Sequence, residues 1–146
     1  MPSGGPQVVV AFDFGHRRIG VACGDTLTRA AAPICTVAAN EGVPRWEEIA
    51  LLLRDLQPSL VVVGLPYNVD GSESGMTGAA RSFAAELARR FAVEIAMVDE
   101  RYSSRDAEER LRAARASGLK RRRVVKADVD AAAACVILDR WFSDEK

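Results

Sequence analysis

Cysteine is scarce: the 146 residues hold three, Cys23, Cys35 and Cys135, far apart and with no C-x-x-C spacing. An odd number so spaced makes no disulfide framework, and with a single histidine, His16, it makes no structural zinc site. Each lies in an apolar stretch and is read as a small buried side chain. Long hydrophobic runs are missing too. Nothing approaches the roughly 18 consecutive apolar residues a membrane helix requires. The start, Met1-Pro-Ser-Gly-Gly-Pro6, lacks the basic and apolar blocks of a secretory signal. A cytoplasmic protein with no membrane partner is expected. Net charge is also absent, since 20 Lys plus Arg balance 20 Asp plus Glu. The chain as a whole therefore exerts no strong pull on polyanions, and the distribution of charge matters more than its sum.

What is present suits one globular domain over residues 8–146, with 1–7 as a flexible N-terminal arm. Val8-Val-Val-Ala-Phe-Asp13 is a short apolar run ending in an acid, as in a buried strand. Gly15 and Gly20 bracket a reversal into a second strand, Ile19 to Gly24, and Pro33 to Val37 supplies a third, at an edge. These three are expected as an antiparallel meander. After Gly42 the period changes. Pro44 suits the first turn of a helix, and Trp46, Ile49, Leu52, Leu53 and Leu56 recur at helical spacing until Pro58. Leu60-Val-Val-Val-Gly64 reads as a strand buried on both faces. A Gly/Ser-rich loop, Pro66 to Gly78, precedes a helix from Ala79 to Phe91, then a strand over Val93 to Val98 and a helix near Ser104 to Ala116. Gly118 suits a helix stop ahead of the basic segment, and the last helix starts near Asp128. The order βββαβαβαα, with strand-helix-strand crossovers, predicts an α/β fold: a mixed five-stranded sheet with helices on both faces.

An acid directly after a buried strand demands a reason. Asp13 closes strand one, where open α/β sheets place their sites. Glu100 follows strand five at the same end, and Asp130 falls in the first turn of the last helix. Magnesium takes hard oxygen ligands, usually a few carboxylates plus water and phosphate. Three separated acids meeting at one sheet edge would suit phosphodiester hydrolysis, with bound cations activating water and stabilising the leaving oxygen. Each acid also has a structural reading. Asp13 could open a turn; Glu100 could pair with Arg101 or Arg105; Asp128 and Asp130 could simply favour a helix N-terminus, Asp128 as its N-cap. Glu100 stands one strand beyond the neighbour of strand one, roughly 10 Å away, and must reach across.

Four segments, in order, resemble one family. Val10-Ala-Phe-Asp-Phe-Gly-His-Arg-Arg-Ile-Gly-Val21 is similar to the opening of the YqgF/RuvX family, whose members carry the names pre-16S rRNA nuclease and Holliday junction resolvase. Val62-Val-Gly-Leu-Pro-Tyr-Asn-Val-Asp-Gly-Ser72 resembles its G-L-P-x-N-x-D-G loop. Asp99-Glu-Arg-Tyr-Ser-Ser104 resembles its D-E-R segment, and Val129-Asp-Ala-Ala-Ala-Ala134 its final D-x-x-A-A helix. The resemblance implies a ribonuclease H-like fold with Asp13, Glu100 and Asp130 as catalytic, metal-holding acids for Mg²⁺ or Mn²⁺. The chain departs from the family at His16, where a small hydroxyl residue is common, and at Tyr102, where Leu or Phe is. His16 is read as an exposed turn residue.

Nucleic-acid contacts would fall to Arg17, Arg18, Asn68, Arg101, Arg105, Arg121, Arg122, Arg123 and Lys126, whose cations neutralise phosphates without reading sequence. With only Tyr67 and Tyr102 placed to stack on bases, duplex or junction shape is the expected target. The resemblance implies a nuclease in 5′-end processing of pre-16S rRNA, acting as monomer or homodimer. A Holliday junction resolvase, which needs a symmetric dimer, and a non-catalytic nucleic-acid-binding transcription factor are the alternatives. Phe12-Asp-Phe-Gly15 also resembles the phosphate loop of the actin and sugar-kinase superfamily, whose enzymes need two such domains where this chain has room for one.

Overall fold

The computed structural model describes residues 7–66, 72, 74–99 and 126–144, with the backbone alone for 126–130 and 144. Its first strand, β1 (Val8–Asp13), is flanked by β2 (Arg18–Asp25), antiparallel, and by β5 (Leu60–Leu65), parallel. Outward from β2 come β3 (Ala31–Asn40) and β4 (Val43–Pro44), both antiparallel; outward from β5 comes β6 (Ile95–Asp99), parallel. The sheet order is β4-β3-β2-β1-β5-β6. The antiparallel meander and the parallel crossovers follow the sequence pattern, but the strands number six rather than five.

The sixth strand is β4, in the stretch read as the first turn of a helix. Glu41 (φ 51°) and Gly42 (φ 84°) form a two-residue reversal with both central residues left-handed, which matches the twist of a hairpin. Asn40 then pairs with Val43, and Pro44 closes β4 instead of opening the helix. Helix α1 (Trp46–Leu56) starts after it and ends in a left-handed Gln57 just before Pro58. Helix α2 (Gly75–Phe91) begins at Gly75 rather than Ala79, because Ser74 caps it. Helix α3 (Lys126–Asp144) begins before Asp128, which therefore lies within the helix and is not its N-cap. The helix expected near 104–116 lies outside the described residues.

Strand alternation sorts side chains onto two faces. Val10, Phe12, Ile19, Val21, Val61, Val63 and Leu65 pack under α1 and α2 with Ile49, Leu53, Phe83 and Leu87. Val9, Ala11, Ala22, Val62 and Val98 pack under α3 with Ala134, Cys135, Ile137, Leu138 and Phe142. Helices thus cover both faces, and the β5 run is buried on each side, as its lack of alternation predicts. Truncating Phe12, fully buried and edge-on to Phe83 at 5.6 Å, would cost about 3–5 kcal/mol. No described helix is long and apolar enough to cross a membrane.

Candidate active site at the carboxyl ends of the parallel strands

β1, β5 and β6 run parallel, so their carboxyl ends share one edge of the sheet. The register sets Val63 beside Phe12, and Gly64 beside Val98. One step further, Asp13 comes level with Gly64 on one side and pairs with Gly20 on the other. Val9 and Ala11 face α3, so alternation puts Asp13 on the α3 face. The same rule puts Gly20, two residues before Ala22, and Gly64, two after Val62, on that face. The half-buried carboxylate of Asp13 is therefore flanked on both neighbouring strands by residues without side chains. Both glycines are buried, so this stretch of the sheet is covered. A carboxylate at such a strand end is the hard oxygen donor that a small divalent cation prefers.

Helix α3 approaches the same edge. Its far end is fixed at the opposite one: a Phe142 ring carbon lies 3.1 Å from where a Cβ on Gly24 would stand, and the Arg29 guanidinium donates to the Phe142 carbonyl. From Phe142 back to position 130 the helix rises about 18 Å. From the level of Gly24 and Val9 to Asp13 the strand advances about 13 Å. Position 130, one turn before buried Ala134, is thereby carried toward the edge that holds Asp13. Arg140 adds a tie on this face, its Nη1 donating to the Asp99 carbonyl at 2.6 Å, one residue before Glu100.

Of the predicted acids, Asp13 stands where the sequence pattern put it. Glu100 lies outside the described residues, as does the side chain of Asp130. Asp99 ends β6, two strands from β1. Among the described residues no group of three or more His, Cys, Asp or Glu comes together to hold a metal. Arg17 is exposed and Arg18 half-buried at the start of β2, both beside this edge. Asn68, Arg101, Arg105, Arg121, Arg122, Arg123, Tyr67 and Tyr102 lie outside the described residues, with the side chain of Lys126. His16 is exposed, as expected; its ring meets Phe14 edge-on at 6.3 Å and its carbonyl accepts from Gly42 N at 3.0 Å.

A cleft of about 380 Å³ lies on the other face of the sheet, bounded by Phe14, His16, Trp46 and Phe83. Its larger rings are already engaged. Phe14 and Phe83 are buried, and Trp46 is stacked on Phe83 at 5.8 Å and capped by the Arg90 guanidinium at 4.4 Å. In the sequence Gly20 marks only a reversal and Gly64 only the end of a strand, and Arg140 carries no signal of a site. Only the register and the helix contact give them a place, although Gly64 interrupting a β-branched run is a visible signal of close approach.

The family model described as "RuvX: Holliday junction resolvase" matches residues 7–144. The chain belongs to the RuvX family. It is 49% identical over 140 residues to a "Putative pre-16S rRNA nuclease" of Edwardsiella ictaluri, covering 96% of this chain and 97% of that protein. A relative of the same name from Shewanella oneidensis is 44% identical over 138 residues, covering 94% and 95%. Among solved structures, RuvC of T. thermophilus in complex with Holliday junction substrate superposes with a TM-score of 0.57 at 18% identity, covering 94% of each chain. The yeast mitochondrial Holliday junction resolvase Ydc2 gives 0.50 at 10% identity, covering 92% of this chain and 77% of that one. The fold of this RuvX-family chain is ribonuclease H-like.

Proposed function

We propose that this protein is a divalent-metal-dependent nuclease that hydrolyses phosphodiester bonds, with precursor 16S rRNA as substrate in 5′-end processing. The single observation that carries the reading is Asp13: a half-buried carboxylate at the shared carboxyl edge of three parallel strands, between two glycines. Family membership and relatives named for pre-16S rRNA supply the substrate class. Asp13, Glu100 and Asp130 are the residues that would hold Mg²⁺ or Mn²⁺. When bound, the cation supplies a water activated near neutral pH and offsets charge on the scissile phosphate. The chain's own part is to hold Asp13 on the end of β1 and position 130 on α3, with Glu100 next in sequence after Asp99, which ends β6. Arg17 and Arg18 would neutralise flanking phosphates and set the strand's position.

Purified protein is to be assayed with Mg²⁺ or Mn²⁺ on precursor rRNA, an RNA duplex and a DNA four-way junction, beside Asp13→Asn. Cleavage of precursor rRNA by wild type and none by the variant is expected. Equal cleavage by both would defeat the proposal. A second reading, resolution of DNA junctions, is favoured by the description of the matching family. It predicts cleavage of the four-way junction without RNA cleavage, by a dimer detectable by light scattering.

A further inference from the structure

Thr77 is buried at 0% exposure and is the one buried polar side chain in the core of the described residues. A buried hydroxyl is retained only where its hydrogen bonds are made. Here they are. Thr77 Oγ1 donates to the Pro66 carbonyl at 2.6 Å and accepts from Ser74 N at 3.0 Å. Ser74 Oγ lies 3.3 Å from the same Pro66 carbonyl and accepts from Thr77 N at 3.3 Å. The two bonds between Ser74 and Thr77 form a reciprocal helix cap. The contacts with the Pro66 carbonyl are more than a cap, because that of Thr77 reaches eleven residues back to the chain just past β5.

Pro66 directly follows Leu65, which pairs with Asp99 at the site edge, and Gly64 lies level with Asp13. The clamp therefore fixes the β5 end of the active-site rim to the N-terminus of α2. Fixing that end in the folded protein removes an ordering cost from the encounter with substrate.

We propose that Thr77 is a positioning residue for nucleic-acid binding: its hydroxyl, with that of Ser74, locks the rim beside Asp13 in the form that receives the substrate backbone. The inference rests on the nuclease reading for the identity of the substrate. It concerns affinity and not the chemical step, so the two fail in different experiments.

The test uses the full chain and three variants. Thr77→Val keeps the shape and removes the hydroxyl; Thr77→Ser restores it; Asp13→Asn tests the chemistry. Binding is read by fluorescence anisotropy on a labelled RNA duplex with a single-stranded 5′ extension, and on a labelled DNA four-way junction. Cleavage is read as separate kcat and KM, and Mn²⁺ affinity by calorimetry. Thr77→Val is expected to raise Kd and KM about tenfold with kcat at saturation and Mn²⁺ affinity within about twofold, the signature of lost uniform binding. Thr77→Ser is expected to restore wild-type Kd. Unchanged Kd in a folded Thr77→Val protein would overturn the inference, as would a fall in kcat at constant KM. So would a Thr77→Ser protein as impaired as Thr77→Val, which would assign the effect to packing. Unimpaired cleavage by Asp13→Asn would instead overturn the nuclease reading and leave the binding result standing.

Discussion

Asp13 and Asp25 each end an apolar strand, and their surroundings differ. Asp13 closes β1 and Asp25 closes the neighbouring β2. The strands are antiparallel, with Val8 opposite Asp25 and Asp13 opposite Gly20, so the acids sit at opposite edges of the sheet. Asp25 is consumed by its own turn: Oδ1 accepts from Leu27 N at 3.0 Å, Thr28 N at 2.8 Å and the Thr28 hydroxyl at 3.2 Å. The Thr28 amide above all holds its carboxyl below the usual carboxylate range. Their glycines differ likewise. Gly24, beside Asp25, is required by packing, since a Cβ there would stand 2.4 Å from the Ala30 carbonyl. Gly20 and Gly64, beside Asp13, lie buried on the face where α3 arrives. An acid after a strand is thus a turn former or a candidate metal ligand according to which edge it reaches. That edge is decided by strand direction, which local sequence does not encode.

The comparison breaks first at the acids themselves. Asp13→Asn is expected to cut cleavage by more than about 100-fold, beyond what indirect partners of a metal site usually contribute. Asp25→Asn should leave kcat within about twofold and lower the melting temperature by a few degrees. Comparable activity losses in both would erase the distinction. The glycines give the next largest contrast. Gly64→Ala should weaken Mn²⁺ binding about tenfold while the protein stays folded, by calorimetry and circular dichroism. Gly24→Ala should instead cost about 1–3 kcal/mol in urea unfolding by overpacking, with unchanged activity per folded molecule. If Gly64→Ala binds Mn²⁺ as wild type does, the bare backbone at Gly64 has no role in admitting the cation.

Smaller effects sharpen the Asp25 side. Its folded pKa lies below the unfolded value near 3.8, so its contribution to stability is present above that value and lost as pH falls through the folded one. The melting-temperature gap between wild type and Asp25→Asn should therefore be full at neutral pH and close on acidification. A gap that stays constant would mean the turn does not depend on the charge. The smallest effect concerns thiols. Burial first, then the charges of Asp25 and Glu48, push Cys23 and Cys35 above the ordinary value of 9.0. Both should alkylate with iodoacetamide at mildly alkaline pH more slowly than a free cysteine, and reach the free rate in denaturant. Native rates equal to the free rate would contradict that burial.

Most of the fold was legible because its elements carry strong local signals. The β-branched run at Leu60 predicts a doubly buried strand, and the spacing of Trp46, Ile49, Leu53 and Leu56 predicts α1. The misses occur where a local cue served two structures. Pro44 suits a helix start and an edge strand equally, and the Glu41-Gly42 reversal favoured the strand. Ser74 and Thr77 moved the start of α2 back a turn, into a stretch read as loop because Gly and Ser are common there. Asp128 looked like a cap because the helix was started too late.

By itself the sequence determined the apolar strands, the helical stripes, the family and the acid at position 13. Those follow from short-range chemistry: side-chain period, β-branching, and a carboxylate that must be explained beside a buried run. Only the tertiary structure decided that β5 inserts between β1 and β6, that Gly20 and Gly64 flank Asp13, and that Thr77 reaches Pro66. These depend on strand order, register and helix direction, which are set by how two apolar faces of one sheet are covered at once. No window of neighbouring residues contains that information.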